Sequence, residues 1–479
     1  MTSTPPDYTQ HPGSSSGHEP SASGFPEAGG QISAGSARLA VPIVAHVGVD
    51  YFSFVTIALL PLLAVKLEFG PAEKSMLLGI GAVASGGIQP IAAWIGDKLD
   101  SRMFGPIGIA VAALCISSIG YAESFGVLLA LFAIGAMGVG AFHPPAAAAV
   151  GHLAGKRRSA MISLFFLAGM VGGIAGNVFS PMLVQLLSSL SGEEGTAATE
   201  AGLKSLVWMA PFGFALAAIV WWAIRKLPHR HAGAHDEHRS LPKRERRDRW
   251  AAFWLLYGGN VIRFSVNMSL VYLYVEWIER LVLADAGAAV MTETLGVRAS
   301  AINGPLQAAM QVGMGGAGIV LGFVLTARWE KRAFVLIPLV GAIPIALFPY
   351  ADRLAEQGLW LPVVLAGLLA VLSGIGFGSV IPVALALGQR LLPHRTAFAS
   401  GMLLGGAWVF AFIGANTARV LHVGAAEGSI ASMFAAPFGL VGEGIGLDAT
   451  FLVAAGFTAA AGLLCVFLPG DLVKRCAPH

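Results

Sequence analysis

The chain is 479 residues long, 56% hydrophobic and only 12% charged, whereas an ordinary soluble protein carries about 25% charged residues. A soluble chain of this length would split into two or three domains with amphipathic periodicity, and this composition excludes that class. The formal net charge of +3 is small; the placement of the basic residues is what informs.

Residues 1–37 are rich in Ser, Gly and Pro and almost free of aliphatics, the composition of a disordered tail. With no basic stretch leading into an apolar one, the tail is not a signal peptide, and the first span is expected to act as the insertion signal. Apolar runs of about 20 residues follow, the length of helix that crosses a hydrocarbon core of about 30 Å. They are predicted at 38–66, 75–95, 104–121, 125–150, 159–187, 204–225, 250–275, 303–327, 333–350, 359–388, 396–420 and 448–468. A transmembrane β-barrel would show alternating polarity instead of continuous runs. The 61 glycines and 26 prolines suit membrane helices. The expected fold is therefore an all-α membrane protein of twelve transmembrane helices.

Lys and Arg favour the cytoplasmic side of a membrane. With the N-terminus inside, most of them fall in inside segments, from Arg38 through the Arg225–Arg249 run to Lys474 and Arg475, while Glu193, Glu194, Glu276, Glu279, Asp285, Glu427 and Glu443 lie outside. Both termini are then cytoplasmic. The basic, His-bearing linker 226–249 divides the spans into halves, 38–225 and 250–469, with a short tail at 470–479. Pro145, Gly151, Arg158, Ser163 and Gly169 recur 237 positions later as Pro382, Gly388, Arg395, Ser400 and Gly406, as an internally duplicated transporter requires. Outer loops at 276–302 and 421–447 read as long.

An ionisable group at bilayer depth costs about 2.5–3.5 kcal/mol on insertion scales, so it faces protein or water and usually has a function. His46 and Asp50, spaced i and i+4 in the first span, share a helical face. They read as a proton-coupling pair, the alternative being a structural hydrogen-bonded pair. His143 sits in the fourth span before Pro144 and Pro145, where a kinked or discontinuous helix is expected; it reads as a proton relay or substrate ligand, or as a polar plug. Arg263 in the seventh span has Asn260 and Asn267 on its face and is expected either to bind an anionic group or to act as counter-ion to Asp50. Gln89, Asn177, Gln307, Gln311 and Asn416 are substrate-binding candidates that serve equally well as glue between helices.

Two patterns do not carry chemistry. Gly313–Gly318 matches a dinucleotide fingerprint letter by letter, but it lies inside an apolar span with no strand before it. Linker residues His229, His231, His235, Asp236, Glu237 and His238 are suitable metal ligands, yet they read as a solvated linker. Cys115 and Cys465 fall inside spans and Cys476 in the tail, with no metal or disulfide spacing. No metal and no cofactor are expected beyond a proton gradient as energy source, and no catalytic residues are assigned.

Three stretches resemble the fosmidomycin-resistance group of the major facilitator superfamily: Gln89–Lys98 with Pro106–Gly108, Phe142-His143-Pro144, and Gln389–Pro393 with Ala399–Gly405. His46 and Asp50 are similar to a His and an Asp of that group's first span. The group commonly has an acidic residue where this chain has Pro145, and the second-half copy of the loop signature, Ala327–Arg332, lacks its Asp. The resemblance implies two six-helix bundles around a central cavity and proton-driven efflux of small molecules. It also implies a gating role for Gly96, Asp97, Lys98 and Arg102. The chain is thus expected to be a monomeric secondary transporter of the inner membrane for an anionic or amphipathic small molecule, with no nucleic-acid partner. The alternatives are a metabolite importer or uniporter of the same fold, and a non-transporting sensor or assembly factor.

Overall fold

The computed structural model describes residues 34–98, 103–153, 158–225 and 242–476. These are almost entirely helical; the only β-bridge among them joins Ala425 to Val441. The reason is solvent: in hydrocarbon every backbone N–H and C=O must be satisfied within the segment, and a helix does that alone.

The N-terminal half contains α1 (Ala34–Ala58), α2 (Pro71–Lys98), α3 (Phe104–Ser117), α4 (Phe125–Leu153), α5 (Arg158–Leu190) and α6 (Ala210–Ile224). The C-terminal half contains α7 (Lys243–Ala286), α8 (Glu293–Val324), α9 (Ala327–Leu347) and α10 (Trp360–Gly378, continued by Ile381–Leu391). It ends with α11, built from Thr396–Gly401, a π-helical turn Met402–Gly406, Ala407–Val409 and Ala411–Val423, and with α12 (Leu447–Leu464). Among the described residues eleven helices are long and apolar enough to cross a membrane. The twelfth predicted span lies in α7, a 44-residue helix about 66 Å long at 1.5 Å per residue. Its basic first turns and its Arg263, Glu276, Glu279 and Arg280 lower its hydropathy.

The duplication is visible in the packing. In the first half α1 packs on α5, α2 on α4, α3 on α4 and α6; in the second, α7 packs on α11, α8 on α10, α9 on α10 and α12. Each pairing recurs six helices later. The two principal contacts between halves, α5 with α8 and α2 with α11, are also exchanged by that relation. Glycines let these backbones approach: a Cβ at Gly304 of α8 would overlap the Asn177 carbonyl of α5, and one at Gly313 would overlap the Val371 carbonyl of α10. The fingerprint-like run is thus a packing surface. Outward-facing aromatics and aliphatics such as Phe212, Phe323, Val324 and Trp360 are more than 70% exposed, a surface that only lipid or a partner can cover.

The structure overturns two sequence-based expectations, a discontinuous α4 and a long loop at 276–302, and adds detail to two others. Helix α4 runs unbroken through Pro144 and Pro145. The supposed outer loop 276–302 is mostly helix, with α7 extending to Ala286 and α8 starting at Glu293. Segment 421–447 holds a short helix, Ile430–Ala435, and a turn at Ala436–Phe438. The tail after 469 begins with a helix, Gly470–Arg475, packed on α9. The tail to residue 33, the linker histidines and Arg102 lie outside the described residues.

Candidate functional site

Helix α1 presents His46 and Asp50 to α4 and α5. The i, i+4 spacing brings His46 Nε2 to 3.3 Å from Asp50 Oδ2. From α4, His143 Nε2 reaches 3.3 Å from the other oxygen, Asp50 Oδ1. One carboxylate is therefore bracketed by two imidazoles whose ring centroids are 4.9 Å apart.

The partners of the far nitrogens fix the chemistry. His46 Nδ1 lies 2.7 Å from the Phe165 carbonyl of α5, and His143 Nδ1 lies 2.8 Å from the Val139 carbonyl one turn earlier in α4. A carbonyl only accepts, so each Nδ1 carries the hydrogen. In a neutral ring Nε2 is then a bare lone pair aimed at a carboxylate, which is repulsive. A proton on Nε2 turns the same contact into a charge-assisted hydrogen bond. The geometry can therefore accommodate a proton between Asp50 and either imidazole. The three facing atoms, which all lie within 4.8 Å of one another, also have the donor types and closeness of a metal-ligand set.

The walls are apolar. Phe165 stacks on His46 with ring centroids 3.9 Å apart and Phe142 lies 5.8 Å from it, both part of an apolar cluster that includes Ile43, Val49 and Ala168. His46 is sealed at 2% exposure, whereas the side chains of Asp50 and His143 are 19% and 25% exposed. Access is from the Asp50–His143 side. Gly169 of α5 supplies the floor: a Cβ there would lie 2.6 Å from Asp50 Oδ2 and His46 Nε2. Gly169→Ala should therefore displace both side chains, costing about 1–3 kcal/mol as an overpacked core does. Thermal unfolding checks this against Gly316→Ala, where the added Cβ meets nothing within 4 Å; equal melting temperatures for the two variants would contradict it.

The same helix carries the site to the seam between halves. One turn after Gly169, Gly173 faces Gln311 of α8: a Cβ there would be 3.0 Å from Gln311 Oε1. One turn further, Asn177 lies against Gly304. Asn177 is fully buried, and neither atom of its amide has a hydrogen-bond partner. Gln307 Nε2 donates to Val271 O and Asn303 Oδ1, each at 3.1 Å, but its Oε1 is unpartnered, as is Gln311 Oε1. Buried amide atoms without partners are costly, so this strip is where a polar ligand gains most.

Several candidates lie elsewhere. Arg263 is fully buried inside the C-terminal half. Its Nη1 donates to Asn260 Oδ1 at 3.2 Å, its Nη2 lies 3.5 Å from Cys465 Sγ, and its Cζ is 5.9 Å from the Phe334 ring centre. Asp50 is paired with the two histidines instead, so the expected Arg263–Asp50 counter-ion arrangement is not formed. The side chain instead points toward Cys465, just past α12, and Phe334 of α9. Asn260 also donates to the Leu403 carbonyl at 3.0 Å, bracing α11. Asn267 is buried on the same helix. Asn416 bridges to Ser75, accepting from its Oγ at 3.4 Å. Gln89 bonds its own helix at Ser85 O, 3.2 Å away, beside Gly405 of α11. Of the gating set, Gly96, Asp97 and Lys98 fall in the last turn of α2, outside the residues whose side chains are described. Phe165 and Gly169 were missed as site residues, because a backbone acceptor and an absent side chain leave no chemical signature in a sequence.

The end of the bundle opposite that turn of α2 is closed by contacts between halves. Lys74 of α2 lies 3.2 Å from Glu276 and 2.5 Å from Glu279, both on α7. The Leu62 N–H donates to Ser300 Oγ at 3.1 Å, and Asn303 Nδ2 donates to the Ile57 carbonyl at 2.8 Å.

The family model of the Major Facilitator Superfamily matches residues 43–415. The chain is similar to the fosmidomycin resistance protein of Escherichia coli (strain K12), with 22% identity over 94% of this chain and 98% of that protein. Among solved structures, its fold is similar to that of a bacterial homologue of the human drug peptide transporters, with a TM-score of 0.63 at 14% identity, covering 92% of this chain and 100% of that one. A bacterial homologue of the human lysosomal transporter Spinster gives a TM-score of 0.58 at 17% identity, covering 94% and 98%.

Proposed function

We propose that this chain, which belongs to the Major Facilitator Superfamily, is an inner-membrane transporter that expels small organic molecules in exchange for protons. The observation that carries the reading is the convergence of His46 Nε2 and His143 Nε2 on one carboxylate, each ring locked by a backbone carbonyl. When protons occupy the Asp50 contacts, α1 is drawn to α4 and α5. When they leave, three lone-pair-bearing atoms face one another in an apolar box and the contact becomes repulsive. Helix α5 feels this through Phe165 and Gly169, and its next two turns form the seam with α8. Asn177, Gln307 and Gln311 on that seam are the polar groups we assign to the cargo. Coupling then means that proton binding and cargo binding bias the same α5–α8 contact toward opposite access states, as exchange by alternating access requires. The positive-inside distribution of Lys and Arg supports cytoplasmic termini, and the Lys74 end would then be the outer one.

The similar resistance protein supplies a first probe, fosmidomycin. In inverted membrane vesicles carrying this protein, an imposed pH gradient, acidic inside, should drive fosmidomycin uptake that a protonophore collapses. Uptake indifferent to the protonophore would contradict proton coupling and favour a uniporter. Absence of any uptake above empty vesicles would remove this molecule as cargo, and a proton flux elicited by other small organic probes then decides the coupling claim.

A further inference from the structure

We propose a second ligand site, for an anionic glycerophospholipid, in the groove between the end of α8 and the start of α9. The groove has a volume of about 960 Å³, and its lining includes Val324, Leu325, Arg328, Trp329, Arg332 and Leu336. It joins two consecutive membrane-crossing helices, so it lies where hydrocarbon meets water.

Three observations select the ligand. First, two guanidiniums share one face: Arg328 and Arg332 are i and i+4 on α9, and both stack on Trp329, at 5.4 and 4.5 Å from its ring centre. Second, no described acid neutralises their charge. Glu330, the acid between them, is buried and bonded to Arg390 of α10 at 2.6 Å. Among the described residues neither Arg328 nor Arg332 has a carboxylate partner. The first turn of α9 adds the N–H groups of Ala327 and Arg328, since Thr326 makes no side-chain cap and, of that turn, only the Trp329 N–H is taken, by the Thr326 carbonyl. Third, the rest of the wall is aliphatic and continues onto a lipid-facing surface where Phe323 is 79% and Leu336 56% exposed. A phosphodiester on the guanidiniums with acyl chains along Val324 and Leu336 satisfies both parts, as basic pockets between transmembrane helices do. A zwitterionic lipid would bring a cationic head group against two arginines.

The test uses the purified full-length protein in detergent, with dioleoyl phosphatidylglycerol, dioleoyl phosphatidylcholine and inorganic phosphate as separate probes. Phosphatidylglycerol should be retained in native mass spectra and raise the melting temperature. Arg328→Gln/Arg332→Gln should weaken that binding about 30-fold, the effect of two guanidiniums near a surface. Equal binding by the variant, an equal effect of phosphatidylcholine, or a full effect of inorganic phosphate would overturn the proposal. Should the double variant not fold, lipids brominated on the acyl chains provide the readout through Trp329. Brominated phosphatidylglycerol should quench a fluorescence component that Trp329→Phe removes. Equal quenching of that component by brominated phosphatidylcholine would overturn it as well.

Discussion

Asp50→Asn should leave the protein folded and able to exchange cargo, yet unable to accumulate it against a pH gradient. The argument rests on shape and charge together. Asparagine matches the outline of aspartate, and its amide donates to one imidazole Nε2 while the other Nε2 faces a neutral oxygen in place of a charged one, so the α1–α4–α5 contact survives. What disappears is the charge that makes an added proton favourable at either Nε2. Each imidazole can release its proton, so the substitution strands no fixed charge of the kind that makes breaking a buried pair from one side costly, and the hydrogen bond at stake is worth only about 1 kcal/mol. The melting temperature should therefore stay within a few degrees of the parent, while gradient-driven transport falls to background. Transport that persists with its original pH dependence would place the proton site elsewhere.

Lys74→Ala should open the end of the bundle that Lys74 holds shut. Lys74, Glu276 and Glu279 have side-chain exposures of 4%, 9% and 15%. Removing the lysine leaves two carboxylates facing each other in a dry contact, a change that costs about 3–5 kcal/mol when a buried pair is broken from one side. Because the cluster joins α2 to α7, the penalty falls on the state closed at this end and is relieved by separating the halves. A cost of 3 kcal/mol is more than a hundredfold in population. Pulsed EPR distances between labels at Ala72 and Val290, one on each half, should lengthen in the variant. Adding Glu276→Gln and Glu279→Gln should restore the short distance, since no stranded charge remains. An unchanged distance in Lys74→Ala would show that the cluster is not the latch.

The spans were legible because hydrocarbon imposes one rule on every residue of a crossing segment, and a 20-residue apolar run satisfies it only as a helix. The duplication was legible for a related reason: the constant offset from Pro145 to Pro382 and from Gly169 to Gly406 reflects helices that pack in the same pairs twice. His46 and Asp50 could be paired by helical spacing alone. The addition of His143, from a helix nearly a hundred residues away, required the fold. The reading of α7 failed at both ends because Lys243–Arg249 and Glu276–Arg280 carry charges, and hydropathy registers charged turns as loop even where, as at Glu276 and Glu279, they are paired and largely buried. Pro144 and Pro145 suggested a kinked or discontinuous helix, yet α4 stays continuous, held together by neighbouring helices as membrane bundles often are. Arg263 shows the opposite limit. Its charge was conspicuous in the sequence, but its direction depends on α9 and α12, which lie far along the chain.

The central claim is that the cluster of His46, Asp50 and His143 couples protons to transport. It is tested most directly by comparing two modes of transport in proteoliposomes, with parent and Asp50→Asn protein reconstituted at equal density. Counterflow of the drug probe needs no net proton movement, whereas gradient-driven accumulation does. The account predicts that Asp50→Asn retains counterflow and loses accumulation. Loss of both modes in a folded variant, or retention of both, would contradict it.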